Sequence, residues 1–358
     1  MISAYELYDK VETLSTETIC NFKRMSEGRL LAVFTARAAG VTAASILESA
    51  GHDVDCYFDN NPELMGSIIN GKPIKNPAEL ENGKYAVLIA SSPQNCSQIS
   101  EQLNKLNAPH MSYDSWSVAR HFEEYKKVLL YLNDEYSKCA YLSCIYYLLT
   151  HSFANDFYER NQYFGVPEFA MLVNDVVVDC GAFVGDSVED YIKNSSSSIR
   201  RIYAFEPFDR NFDAMKIRVE RLKREWALDD GKIVLVKVGI GAKTGKVRLS
   251  GIVSTYRKSV DGVNGIEMDV FSIDDYFKGE NIAPTVIKAD IEGMEQDMLR
   301  GAERTIKQNQ PKLAISIYHS AEDLFEIAGY IKYIVPNYRF AVRKHCPGCD
   351  DTILYAWI

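Results

Sequence analysis

No stretch of this chain stays apolar for the roughly 20 residues that a membrane-spanning helix needs. The nearest candidate, residues 128–149, is broken by Asp134, Glu135 and Lys138. It reads as helix packed in a protein core, so no membrane partner is expected. An excess of basic residues is also missing. Lysine and arginine total 40 against 49 aspartates and glutamates, a formal charge of -9. That balance argues against a nucleic-acid partner. The one local basic run, RVERLKREW (218–226), has the spacing of a solvated helix face. An export leader is not visible either: MISAYELYDKVETL carries Glu6, Asp9 and Glu12 and has no apolar segment. Eight cysteines scattered through such a chain are expected to be reduced thiols, which suits a cytoplasmic protein. Cys346 and Cys349 form a C-P-G-C pair, but one pair without a second is a weak zinc pattern, and Pro-Gly is ordinary turn chemistry. No metal is expected.

What is present is alternating strand and helix in two series, over a length of 358 residues that favours two domains. The first series has buried-strand patterns at 29–36, 53–59 and 84–91, with helices over 41–51 and about 93–107. Residues 1–120 are therefore expected to form a small Rossmann-like α/β domain. Residues 121–170 read as a tyrosine-rich helical connector. The second series, 171–358, has five strand–helix units, with strands at 175–180, 201–207, 232–240, 285–290 and 312–319. An antiparallel pair, 339–345 and 352–358, closes the chain around the Cys-Pro-Gly-Cys turn. The expected fold class is α/β, with a seven-stranded doubly wound sheet in the C-terminal half.

The residues with chemistry gather at strand ends in that second series. VVVDCGAFVGDS (176–187) is a valine-rich, doubly buried strand pattern ending in Asp179, then a turn containing Gly181, Phe183 and Gly185. Glycine lets backbone approach a ligand, and the following helix offers free N–H groups. The spacing is not G-x-G-x-x-G. An acidic residue ahead of Gly-x-x-x-Gly suits a ligand bearing an ammonium group, as S-adenosylmethionine does, rather than a pyrophosphate. Glu206, ending the next strand in YAFEP, can accept from both hydroxyls of a ribose, with Pro207 and Phe208 beside the adenosine. Gly239, read as ending the third strand, is a candidate for adenine contact. Asp290 and Glu292 stand at the end of the fourth strand, next to the expected methyl donor, as candidates for base, metal ligand or acceptor-hydroxyl contact. Lys288, two residues before Asp290, shares its strand face and could pair with those carboxylates. His319 ends the fifth strand at the same sheet edge and could take a proton near neutral pH. His345, at the end of a later strand, is a weaker candidate.

At these motifs the sequence resembles the FkbM-type methyltransferases. The resemblance lies in DCGAFVGD (179–186), FEP (205–207), KADIEGME (288–295) and YH (318–319), and extends over about residues 160–358. NQYF (161–164) is similar to part of a helical lead-in found in some members. The resemblance implies a class I methyltransferase fold and methyl transfer from S-adenosylmethionine, most often to a hydroxyl oxygen on a sugar or natural-product scaffold. The partner implied is a small-molecule or glycan acceptor, and nothing in the sequence opposes a homo-oligomer. Asp179, Gly181, Phe183, Gly185, Glu206, Pro207, Gly239 and Asp290 would then hold the donor, with Asp290, Glu292, His319 and Lys288 at the chemistry. Residues 243–281 would form much of the acceptor-facing surface.

The N-terminal half is similar to Rossmann-like modules of sugar-modifying enzymes through FDNNPELMG and GKPI. Where a dinucleotide site needs its first glycines, it has Thr35 and Arg37 in FTARAAG (34–40). Those side chains would obstruct a pyrophosphate. The rival readings are an NAD-dependent sugar oxidoreductase or epimerase using this half, and a non-catalytic scaffold on a methyltransferase fold.

Overall fold

The first strand of each half is a short, mostly apolar run too short for a helix, and each lies inside its own sheet with a parallel strand on either side. The computed structural model describes residues 3–80, 83–154, 158–170, 172–250, 257–258 and 266–358. Two compact units make up the chain: Met1–Glu123 with Cys144–Ala154, and Glu124–Ser143 with Asn155–Ile358.

The first unit opens with α1 (Ala4–Ser26), started by a capping box between Ser3 and Glu6. It continues through β1 (Leu30–Phe34), α2 (Ala38–Ser49), β2 (Val54–Phe58), β3 (Ile68–Ile69), β4 (Lys72–Lys75), β5 (Tyr85–Ile89), α3 (Pro93–Lys105), β6 (His110–Ser112) and α4 (Tyr113–Arg120). The six strands are ordered β3-β4-β2-β1-β5-β6. The pairing is parallel except between β3 and β4. The turn after β1 is held by the protein itself. Asp59, buried at the end of β2, accepts from the Ala36 N–H at 2.9 Å, and Thr35 Oγ1 donates to the Ala90 carbonyl at 3.3 Å. The carboxylate at the end of β2 is thus engaged with the very loop that would have to wrap a pyrophosphate.

Two helices follow, α5 (Phe122–Leu129) and α6 (Glu135–Thr150), and the division between the units falls within each of them. Two of their tyrosines, both within the second unit, are tied to it. Tyr125 donates to the Ala321 carbonyl at 2.6 Å and Tyr141 to the Leu324 carbonyl at 3.2 Å, both buried. Each such bond contributes roughly 1 kcal/mol net.

The second unit contains β7 (Val176–Cys180), α7 (Asp186–Asn194), β8 (Arg201–Phe205), α8 (Asp209–Glu225) and β9 (Ile233–Val236). A small sheet comes next, from β10 (Gly239–Ile240), β11 (Gly245–Ser250), β12 (Arg257–Lys258) and β13 (Ile266–Phe271), then the short α9 (Ile273–Tyr276). The main sheet resumes with β14 (Val286–Ala289), α10 (Glu295–Gly301), α11 (Glu303–Asn309), β15 (Lys312–Ser316), α12 (Asp323–Ile334), β16 (Arg339–Lys344) and β17 (Thr352–Trp357). Its seven strands run β16-β17-β15-β14-β7-β8-β9, parallel except for β17 against both neighbours. This is the doubly wound sheet with a closing antiparallel hairpin that the sequence led us to expect.

The core follows from helical periodicity. Met215, Val219 and Leu222 on α8 are buried, with Phe212 half-buried beside them, and all pack with Val188 and Ile192 of α7 and Val177 of β7. The basic run on α8 is a solvated face, as read, and it also ties down α7. Arg218 and Arg221 reach Glu189 at 3.2 and 2.5 Å. Two expectations are corrected. The stretch 232–240 is not one strand: β9 ends at Val236, and Gly239 pairs with Val270 in the small sheet. The helix after β14 is two helices, parted at Ala302. Of the expected acceptor-facing stretch 243–281, residues 251–256 and 259–265 lie outside the described residues. No helix among the described residues is long and apolar enough to cross a membrane.

Candidate functional site

The chain leaves β7 for β8 on one side of the sheet and returns to β14 on the other. Strand order therefore reverses between β7 and β14, where open α/β sheets form a crevice beyond their carboxyl ends. Asp179, Glu206, Asp290 and His319 all arrive at this edge, from β7, β8, β14 and β15 or the residues just after them.

The glycine turn is shaped by close packing. Gly181 has φ +77°, and a Cβ there would collide with the Asp290 carbonyl oxygen. Gly185 has φ +79° and stands immediately before α7, with Met215 packed beneath it. Both positions demand the left-handed region, which glycine enters without strain. A Gly181→Ala variant is expected to lose at least 3 kcal/mol of stability or fail to fold, by chemical denaturation, whereas Gly279→Ala is not expected to approach that loss. Gly279 also has a left-handed φ, but a Cβ there meets nothing within 4 Å.

Asp179 is wholly buried. Its Oδ1 lies 2.9 Å from the Lys288 ammonium, and its Oδ2 accepts from Ser187 Oγ at 2.5 Å. Lys288 is directly opposite Asp179 in the β14–β7 register. Its Nζ also donates to the Gly181 carbonyl at 2.8 Å and lies 5.3 Å from the centre of the Tyr163 ring. This corrects the sequence expectation for Lys288, which is paired with Asp179 and not with the carboxylates of Asp290 or Glu292. Burial alone would lower the Lys288 pKa. The charges of Asp179 and Asp290 outweigh it and hold the ammonium above its usual range. The pair staples the glycine turn from below.

Glu206 is buried, and desolvation raises its pKa against the pull of three donors. Oε2 accepts from the Phe183 N–H at 3.1 Å. Oε1 accepts from the Phe208 N–H at 3.1 Å and Asn211 Nδ2 at 3.2 Å. A carboxylate has about four acceptor positions, so one is left unless Asn211 turns aside. A diol could then donate once here, where the sequence suggested two bonds. Phe183 is 53% exposed at φ +46°, an apolar ring standing at the rim of the turn. Pro207 follows Glu206 directly. Gly239 lies in the small sheet, where a Cβ would press against the Met268 methyl, and Met268 packs on Met294 as Phe208 and Ile291 do.

On the β14 side, Asp290 Oδ1 accepts from the Tyr318 hydroxyl at 3.1 Å and Oδ2 from Tyr163 at 3.3 Å, while His319 Nε2 lies 3.4 Å from Oδ1. Three donors again leave one acceptor position, on a residue that is part-exposed. His319 Nδ1 faces Glu295 Oε1 at 3.2 Å, and Glu292 Oε2 is 3.8 Å from Nε2. Burial would depress the His319 pKa. The carboxylates of Glu295, Asp290 and Glu292 prevail and push it up to about 9. Glu295 is itself buried, and its Oε1 accepts the Ile291 N–H at 2.7 Å. Behind it, burial first and the Glu295 charge second push Asp323 up to about 7. Glu292 is held at φ +57°, a conformation uncommon outside glycine and asparagine.

One ligand-type atom from each of Asp290, Glu295 and His319 lies within 4.8 Å of the others, a spacing that suits a cation. The ring, however, presents a different nitrogen to each carboxylate, which is the pattern of an imidazolium. A pKa pushed up to about 9 by these carboxylates suits a protonated ring between them.

Glu295, Tyr163 and Tyr318 were not assigned roles from sequence. Glu295 closes the KADIEGME motif and Tyr318 precedes His319, so both carried a signal. Tyr163 is 127 positions from Asp290 and is brought to it only by the fold. His345 stands apart, with Nδ1 on the Glu159 carbonyl at 2.7 Å and Nε2 near the Tyr355 hydroxyl at 3.1 Å. In the C-P-G-C segment, Cys346 Sγ donates to the Pro347 and Asp350 carbonyls at 3.2 and 3.0 Å.

Residues 179–340 match the family model described as the methyltransferase FkbM domain. The solved structure of methyltransferase FkbM from Methylobacillus flagellatus is similar over 99% of this chain and 100% of its own, at 21% identity and a TM-score of 0.62. Aeropyrum pernix fibrillarin, solved with S-adenosyl-L-methionine bound, aligns over 54% of this chain and 70% of its own, at 12% identity and a TM-score of 0.32. A putative methyltransferase from Streptococcus mutans, solved with SAH, aligns over 52% and 90%, at 10% identity and 0.33. No curated protein matches the sequence.

Proposed function

Since residues 179–340 are an FkbM methyltransferase domain, we propose that the chain moves a methyl group from S-adenosylmethionine to a hydroxyl oxygen of a sugar or natural-product acceptor. The observation that carries this reading is one continuous rim. Glu206 and the glycine turn are joined through the Phe183 N–H, and the turn packs against Asp290 at the point where strand order reverses. The amino-acid end of the donor lies on the turn from Gly181 to Gly185 at the start of α7. Its ribose donates to the open position on Glu206. Phe183, Pro207 and Phe208 supply apolar surface beside the nucleoside. Asp179 and Lys288 act as positioning residues, keeping the turn in shape without touching the ligand.

The acceptor hydroxyl donates to the remaining position on Asp290. Bound at this rim, S-adenosylmethionine would supply an electrophilic methyl carbon for that oxygen, with the C–S bonding pair retained by the departing sulfur. The hydroxyl proton passes to Asp290, which Tyr163, Tyr318 and protonated His319 hold in place. The sulfonium is already activated, so orientation of oxygen, carbon and sulfur supplies much of the rate.

Calorimetry with S-adenosylhomocysteine tests the donor half. Wild-type protein is expected to bind it, and Glu206→Ala to bind about 10 to 100 times more weakly, the effect of a lost hydrogen bond to a charged group. Stabilisation by NADH with no response to S-adenosylhomocysteine would favour the oxidoreductase reading instead. Transfer of a labelled methyl to a panel of hydroxylated compounds tests the acceptor half.

A further inference from the structure

The first unit holds a cavity of about 750 Å³ that the methyltransferase reading leaves without a role. It opens beside Ile89 and Ser112, the last residues of β5 and β6, at the carboxyl edge of that unit's parallel sheet. The cavity lies on the β6 side of β5, walled by α1, α3, the edge strand β6 and the end of α6. Its size is ordinary for a small-molecule site.

The wall has a definite chemistry. Asn21, Ser97, Ser100, His110, Ser112 and His151 contribute groups that can donate or accept. Lysine and arginine are missing from the lining, and Glu101 is its one charged residue, so an anionic ligand finds no counter-charge. Met25, Ile89 and Leu149 add apolar surface on the same wall. Two features point to an occupant. His151 Nε2 is buried with no hydrogen-bond partner among the described residues, in a residue held at φ +53°. A buried polar atom left unsatisfied is costly unless something meets it, and strained backbone of this kind gathers at functional positions. His110, by contrast, is fixed: Nδ1 donates to the Ala108 carbonyl at 2.8 Å, and Nε2 lies 2.6 Å from Ser100 Oγ. Burial pushes the His151 pKa down, toward the uncharged ring.

We propose that this cavity binds an uncharged polyhydroxylated molecule, a neutral mono- or disaccharide. Hydroxyl groups both donate and accept, which is what uncharged imidazole, serine and asparagine side chains require. The C–H face of a sugar ring matches the methionine, isoleucine and leucine surface. This inference stands on the first unit and does not depend on the reaction assigned to the second.

The test uses the full chain and ligand-observed NMR titrations with glucose, N-acetylglucosamine, maltose and trehalose. At least one of these is expected to bind. Ser97→Tyr, at an exposed wall position, fills the space and should abolish binding; His151→Leu should weaken it about tenfold. Asp290→Asn should leave it unchanged, which separates this cavity from an acceptor site in the second unit. Should Ser97→Tyr fail to fold by circular dichroism, Ser100→Phe from the same wall replaces it. The proposal is overturned if none of the four sugars binds, or if binding survives both cavity variants. Loss in Asp290→Asn with retention in Ser97→Tyr overturns it too, as does tighter binding of glucose 6-phosphate or glucuronate.

Discussion

Replacing Lys288 with methionine is expected to cost the second unit about 3–5 kcal/mol, the typical result of removing one partner from a buried ion pair. The lysine and Asp179 side chains are 3% and 0% exposed, so water cannot compensate the orphaned carboxylate. The Gly181 carbonyl loses its donor in the same step, and the glycine turn loses its anchor. A double variant, Asp179→Leu with Lys288→Met, removes both charges and should recover most of the loss, because apolar replacements of a buried pair are often near neutral. The pH dependence has a definite sign. The folded-state pKa of Lys288 lies above its ordinary value, so its contribution is complete below about pH 10 and fades only as pH rises through the higher folded value. The single variant should therefore show the same deficit at pH 6 and pH 8 in urea titrations. A deficit under 1 kcal/mol, or a double variant no better than the single, would mean that the pair contributes little.

How far these relations could be read from sequence depends on which forces act locally. The five parallel strands and closing hairpin of the second unit were legible, because buried strands such as VVVDC and KLAIS are apolar runs that no exposed segment would tolerate. Asp179 and Glu206 were legible as strand-end carboxylates. Which way Asp179 faces was not: its partner Lys288 lies 109 positions away and becomes a neighbour only because β14 inserts beside β7. The small sheet of β10 to β13 was missed, although its two longer strands carry the period of two: Val247 and Leu249 alternate with Lys246 and Arg248, and Ile266, Met268 and Val270 with Glu267 and Asp269. Gly239 was assigned to the third strand of the main sheet because its two-residue strand is too short to show any period. The break at Ala302 follows from packing, because a side chain at Gly301 would strike the Gly241 carbonyl. That contact spans two elements and leaves no local trace in the sequence. Glu295 shows the opposite case: the residue was in view within its motif, but its task depends on where the His319 ring points.

That ring sets the second large effect. Asp290→Asn is expected to lower the rate of methyl transfer 10²- to 10⁴-fold, the usual range for loss of an acid–base group, while S-adenosylhomocysteine affinity changes far less. The wild-type rate should in addition fall as pH rises through about 9, where His319 gives up its proton. Below that value the imidazolium is faced by Asp290 and Glu292 from the turn after β14, Glu295 from α10, Asp323 from α12 and, at longer range, Asp351 from the closing hairpin. Among so many carboxylates its charge is what holds Asp290 in place. The histidine pKa is higher folded than unfolded, so its stabilisation is complete below about pH 6.5 and is lost as pH climbs toward 9, with a total of about 3 kcal/mol. His319→Gln should flatten the alkaline fall and lower the plateau. Glu295→Gln removes the largest of the charges that raise the ring pKa, so the fall should move to lower pH with little change in donor affinity. A purely structural Glu295 would leave the position of that fall where it is. A wild-type profile level to pH 10, or one unmoved by Glu295→Gln, would show that the His319 charge does not govern the reacting carboxylate.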